Sequence, residues 1–81
     1  MMVDVNKIRW QCRRGMKELD VMLTRFVDAE YAQLNEVDRQ SFHQVLNMQD
    51  PDLYQFLMGN RVPTDPDAVN IINRIRVVSG V

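Results

Sequence analysis

Asp50-Pro51-Asp52-Leu53-Tyr54-Gln55-Phe56-Leu57-Met58-Gly59 carries both a start and a stop for one helix. Asp50 is an N-cap by chemistry, because its short carboxylate can accept one of the unpaired N–H groups of a first turn. Pro51 fits the first helical position, where a backbone N–H would have no partner anyway, and Gly59 suits the residue just past the last turn. Between them Leu53, Phe56 and Leu57 recur at three- and four-residue spacing, the period of one buried helix face. A segment this short buries little alone, so it must pack against further helices.

Working outward, the same grammar repeats. Downstream, Asn60 to Thr64 reads as a short polar loop held by Pro63. Asp65 then caps a helix with Pro66 in its first turn, whose apolar stripe is Ala68, Ile71, Ile72 and Ile75. Ser79-Gly80-Val81 is expected to fray. Upstream, Asn35 opens a helix reaching about Asn47, with Asp38 in the first turn and Phe42, Val45 and Leu46 facing inward. Before it, a helix from about Met16 to Ala32 buries Leu19, Met22, Leu23 and Phe26. The first helix spans about Val5 to Arg13, capped by Asp4, with Val5, Ile8 and Cys12 on one face. Arg13 and Arg14 stand where cations favour a helix C-terminus, and Gly15 suits the left-handed position beyond it. No run alternates apolar and polar residues long enough for a strand. The expected fold is all-α: a single small five-helix bundle, one domain over residues 1–81 with an ordered core of about 4–78.

Composition sets the outer bounds. Eighty-one residues allow one domain, and 46% hydrophobic with 26% charged residues suits a small globular core rather than a disordered chain. A membrane-crossing helix needs about 20 mostly apolar residues. The longest charge-free stretch, Gln40 to Gln49, is ten residues and mostly polar. Asp4, Lys7 and Arg9 interrupt any apolar leader, so a cytoplasmic protein with no direct membrane insertion is expected. The lone Cys12 fits a reducing compartment. The net charge of −1 hides an uneven distribution: residues 1–20 carry five Lys/Arg against three Asp/Glu, residues 21–58 two against six, and residues 59–81 three against two. Glu18 and Asp20 beside the most basic run would repel a phosphate backbone, so no nucleic acid is expected as partner.

An active site of its own is not expected either. One His and one Cys cannot make the usual zinc sites, and the carboxylates lack calcium-loop spacing. Gly15, Gly59 and Gly80 are isolated and form no phosphate cradle. Cys12 and His43 could in principle pair as nucleophile and base. Cys12, however, shares a face with Val5 and Ile8 and reads as core, while His43 beside Phe42 reads as a surface or half-buried residue. The protein is expected not to be an enzyme, to bind no metal, and to work through its surface.

The run Arg13-Arg14-Gly15-Met16-Lys17-Glu18-Leu19-Asp20 departs from what folding alone asks, packing both charge signs around a glycine at a helix junction. Arg14 and Glu18 would share a face if the helix were continuous. If Gly15 breaks it, Glu18 falls in the next first turn, where a carboxylate is favoured. One reading is a capped junction with an exposed ion pair worth about 0–1 kcal/mol. The other is a contact patch: a glycine without Cβ admits close backbone approach, Arg14 can fork onto a carboxylate or carbonyl, and Glu18 can accept from a partner's donor. Trp10, one turn earlier, is an aromatic anchor or a core residue.

Arg14-Gly15-x-x-Glu18 within this run resembles the signature of the succinate dehydrogenase flavinylation factors, the SdhE/YgfY-like family of small bacterial five-helix proteins with mitochondrial relatives. The resemblance continues through Trp10, Cys12 and Asp50-Pro51-Asp52-Leu53-Tyr54-x-Phe56-Leu57, covering about residues 6 to 76. Phe56 stands where the family often has Trp. The resemblance implies an assembly factor, or chaperone, that binds the flavoprotein subunit of succinate dehydrogenase, and of fumarate reductase as well. It would promote covalent attachment of FAD to a histidine of that partner, holding no cofactor stably itself and acting as a monomer on the partner's FAD. Carried over residue by residue, Arg14, Gly15 and Glu18 meet the flavoprotein, with Met16, Lys17 and Asp20 as adjacent candidates. The alternative is a small nucleic-acid-binding or antitoxin-like module using Arg9, Arg13, Arg14 and Lys17.

Overall fold

The computed structural model describes residues 5–80, the side chains of Val5, Asn6 and Arg9 aside. The chain forms α1 (Val5–Gln11), α2 (Lys17–Glu30), a short 3-10 turn (Tyr31–Gln33), α3 (Glu36–Leu46), α4 (Asp50–Leu57) and α5 (Pro66–Ser79). The described residues contain no strand, so the expected all-α class holds. The Asp4 cap expected for α1 lies outside the described residues.

Two of the expected caps are made. Asn35 Oδ1 accepts the Asp38 N–H at 2.8 Å, and Asp65 Oδ1 accepts the Asp67 N–H at 3.0 Å. Asp50 is the exception. Gln49 occupies the cap of α4 with extended backbone, while Asp50 is already helical and its side chain is directed elsewhere. α5 runs through Ser79 and closes on Gly80, whose left-handed backbone returns its N–H to the last carbonyls; Val81, the end of the segment expected to fray, lies outside the described residues.

The second helix ends earlier than its apolar spacing suggests. α2 stops at Glu30 and a 3-10 turn follows directly; the Tyr31 N–H still bonds the Val27 carbonyl, and its side chain is 2% exposed. Tightening the last turn shortens the route to α3. The Ala32 carbonyl, left over by the helix end, accepts from Arg39 Nη2 at 3.1 Å. Tyr31 and Phe26 both pack on Phe42, with ring centroids 5.6 and 5.2 Å apart.

α5 lies against α2 and α3, α1 covers α2, and α4 closes the assembly against α5 and α2. Every apolar stripe read from spacing meets at this centre: Leu19, Leu23, Phe26, Phe42, Val45, Leu53, Leu57, Ile71 and Ile75 are fully buried. Ile8 and Cys12 join them from α1 and its end. Burying each such side chain contributes about 1.5–3 kcal/mol, which fixes the helices and therefore the two tight junctions, α1–α2 and α3–α4, that they bring together. Phe56 departs from the expected buried face; it is half-buried, with the Arg61 guanidinium 5.0 Å above its ring.

Candidate partner-binding surface

The α1–α2 junction is Cys12 to Met16. The Cys12 and Arg13 N–H groups still bond back to Ile8 and Trp10, after which the chain leaves the helix. Met16 takes an extended conformation at the start of α2 and offers no side-chain cap. The helix is therefore broken rather than continuous, and Glu18 and Asp20 sit in the first turn of α2, where the helix dipole favours carboxylates.

Asp50 organises the junction. Its Oδ2 accepts the Gly15 N–H at 3.1 Å, and its Oδ1 lies 3.4 Å from Arg14 Nη1. Arg14 also donates to the Met48 carbonyl at 2.9 Å and to the Leu46 carbonyl. These carbonyls belong to the end of α3 and the turn after it, so one guanidinium satisfies acceptors that the helix leaves unpaired. The Arg14 fork, expected to meet a partner, is engaged here by its own chain. Its side chain is 12% exposed and committed inward, because three acceptors of its own chain surround it.

Gly15 contradicts a sequence expectation. It is not in the left-handed region; among the described residues only Gly59 and Gly80 have positive φ. A Cβ placed on Gly15 would meet nothing closer than Asp50 Oδ2 at 3.5 Å, an ordinary contact. Neither backbone nor packing requires a glycine here, and the residue is exposed.

Around Gly15 the remaining candidates divide. Lys17 and Glu18 are exposed, while Met16 is half-buried against the core. Asp20 is half-buried on α2, with Thr24 Oγ1 3.4 Å from its carboxylate. Trp10 is 68% exposed, which decides against a core role, and the Arg13 guanidinium lies 4.9 Å from its ring. Beyond Lys17 and Glu18 the surface continues into an open apolar depression formed with Val21, Met22 and Met58. Val21 and Met58 escaped the sequence reading; a solvent-facing Val inside an amphipathic helix is the faint signal that could have marked them.

Of the basic patch of the alternative reading, Arg13 and Lys17 are exposed and Arg14 is turned inward beside Asp50, while the side chain of Arg9 lies outside the described residues. Cys12 is fully buried, as its core reading requires. His43 is half-buried, and its Nε2 lies 2.8 Å from the Tyr31 hydroxyl. Burial pushes the Tyr31 hydroxyl above its ordinary range, Arg39 partly opposing this and Cys12 adding to it.

A small helical protein whose most unusual motif is braced from behind and open in front has the form of a protein-binding module. The chain belongs to the Sdh5 family, flavinators of succinate dehydrogenase, whose family model matches residues 6–79. It is 41% identical over 73 residues to the FAD assembly factor SdhE of Coxiella burnetii, covering 90% of this chain and 89% of that protein. It is 37% identical over 75 residues to the FAD assembly factor SdhE of Shewanella oneidensis, covering 93% and 92%. The FAD assembly factor SdhE of Idiomarina loihiensis is 39% identical over 69 residues, covering 85% and 77%.

Proposed function

We propose that this five-helix bundle is a cytoplasmic assembly factor that binds the flavoprotein subunit of succinate dehydrogenase, and that of fumarate reductase, and promotes covalent attachment of FAD there. Membership of the flavinator family and the FAD assembly factor relatives support this reading. The observation that carries it is Gly15: an exposed glycine that its own fold does not require, at the centre of a braced surface. A glycine without internal need suits a partner's backbone coming close at that point.

In this reading Gly15, Lys17 and Glu18 touch the flavoprotein directly, with Met16 and Asp20 at the margin. Arg14 acts from behind, holding the junction in the shape that docks. Attachment needs the reactive methyl carbon of the flavin held against the partner's histidine. A binder that fixes the flavoprotein in that arrangement accelerates the step by orientation, without an acid or base of its own. A typical interface takes about 20–30 residues per side, a quarter to a third of a chain this size, so one face suffices. The test is reconstitution: purified apo-flavoprotein and FAD with and without this protein as monomer, followed by in-gel fluorescence after denaturation. A fluorescent flavoprotein band that forms markedly faster with the protein supports the reading; identical rates refute it.

A further inference from the structure

We propose that the cleft between the α4–α5 loop and α5 is a carboxylate-binding site built on Arg76. The cleft holds a cavity of about 60 Å³, with Phe56, Val69 and Ile72 among its apolar walls and Arg61, Asn73 and Arg76 supplying polar groups. It is separate from the Gly15 surface, whose residues do not line it.

Arg76 is half-buried yet differs from the other half-buried arginines. Arg14 holds two carbonyls and Asp50, Arg39 holds the Ala32 carbonyl, and Arg74 holds Asp38 and Glu30. The Arg76 guanidinium has no such acceptor among the described residues; its Nε is shut off from solvent without a partner, as are those of Arg14 and Arg39, but only in Arg76 do the terminal nitrogens also lack one. A cation partly removed from water and left without an acceptor is unfavourable, and an arriving anion relieves that cost. The Arg76 guanidinium lies against Gly59, where a Cβ would come within 2.8 Å of Nη2, and Gly59 has a φ of +80°. Glycine at that position makes the room the guanidinium occupies.

The shape selects the anion. A guanidinium presents paired N–H donors that match the two oxygens of a carboxylate. The cleft is small and suits a group of a few heavy atoms such as one carboxylate. The same fork also matches phosphate, but a dianion carries more charge and hydration than one guanidinium offsets, so the apolar walls favour a singly charged carboxylate on a short hydrocarbon stem. Arg61 adds a second positive charge at the rim, partly offset by Asp52 3.2 Å away. The carboxylate comes either from an Asp or Glu side chain of the docked flavoprotein, which rests on the function proposed above, or from a free short-chain acid.

Titrating the isotopically labelled protein with sodium acetate, against sodium chloride at equal ionic strength, tests the site directly. The amides of Gly59, Arg61, Asn73 and Arg76 should shift saturably with acetate, and Arg76→Gln should weaken that response at least tenfold while keeping a dispersed spectrum. Arg76→Lys, which retains charge without the fork, should fall between them and serves if the Gln variant does not fold. Capture of the flavoprotein distinguishes the sources. Weaker capture by Arg76→Gln together with competition by acetate assigns the carboxylate to the partner; unchanged capture with the acetate response intact assigns it to a free acid. No acetate-specific shift in the unmodified protein, an undiminished shift in Arg76→Gln, or a stronger response to phosphate would overturn the proposal, whatever the flavoprotein does.

Discussion

Asp50 accepts the backbone N–H of Gly15 at 3.1 Å across 35 residues of sequence, joining the start of α4 to the turn before α2. The same carboxylate faces Arg14, so one side chain fixes both the path of the main chain and the direction of the neighbouring cation. The surface that remains in front is shaped by this brace. Arg14→Ala should therefore act on folding before it acts on docking. It removes charge-assisted bonds to two carbonyls and a carboxylate, and an unfolding free energy lower by about 1.5–3 kcal/mol is expected. Arg14→Lys should recover only part of it, because one ammonium cannot span the same acceptors. Chemical denaturation of both variants checks this, and Asp50→Ala combined with Arg14→Ala should cost less than the two separate losses added.

Gly15 and Gly59 should respond in opposite ways to one methyl group. Gly15→Ala finds ordinary space and a backbone any residue adopts, so stability should be unchanged or higher by up to about 1 kcal/mol. Gly59→Ala forces an L side chain into left-handed backbone and against Arg76, and should lose about 1 kcal/mol or more. Thermal unfolding of the two variants side by side gives the comparison.

Glu18 stands exposed in the first turn of α2, three residues after Gly15. Glu18→Ala should lower stability by less than about 1 kcal/mol, the usual value of a carboxylate at a helix start. Its affinity for the flavoprotein should fall about tenfold, equivalent to ~1.4 kcal/mol. Isothermal titration against apo-flavoprotein, with unfolding measured in parallel, separates the two effects.

Tyr31 gives the fold an alkaline limit. Burial raises its hydroxyl above the ordinary value of 10.0, so the folded state favours the neutral phenol more than the unfolded chain does. The native protein then binds more protons than the unfolded one above that value. This contribution is complete below pH about 10 and is lost as pH rises through the folded-state value. Tyr31→Phe should flatten the decline in stability above pH about 10. At neutral pH it should cost about 0.5–1.5 kcal/mol for the lost His43 hydrogen bond. Denaturant midpoints between pH 7 and 11 test both parts.

The helices were legible because their signals are local. Asn35 and Asp65 cap the turns their chemistry favours, and the stripes Phe42–Val45–Leu46 and Ile71–Ile72–Ile75 bury as their spacing requires. The end of α2 was not legible, since the helix tightens into a 3-10 turn after Glu30 and no glycine or proline marks the place. Within the candidate site the motif itself could be read, but the direction of Arg14 could not. Helical spacing relates Arg14 to Glu18; the acceptors it uses lie 32 to 36 residues away, beyond any local pattern. Asp50 misled for the same reason. It has the chemistry of a cap, and a competing long-range bond to Gly15 claims its carboxylate instead.

Gly15→Arg tests the central claim most directly, because it adds bulk and charge at an exposed position whose Cβ would make only an ordinary 3.5 Å contact with Asp50 Oδ2. The apo-flavoprotein should be incubated with FAD and either the unmodified protein or the variant, and covalent flavin read by fluorescence in a denaturing gel. The expected result is a strong band with the unmodified protein and almost none with Gly15→Arg, whose helical circular dichroism stays nearly unchanged. A normal band from the folded variant would contradict the docking of the flavoprotein at Gly15, and loss of helical signal would reduce that glycine to a requirement of the fold.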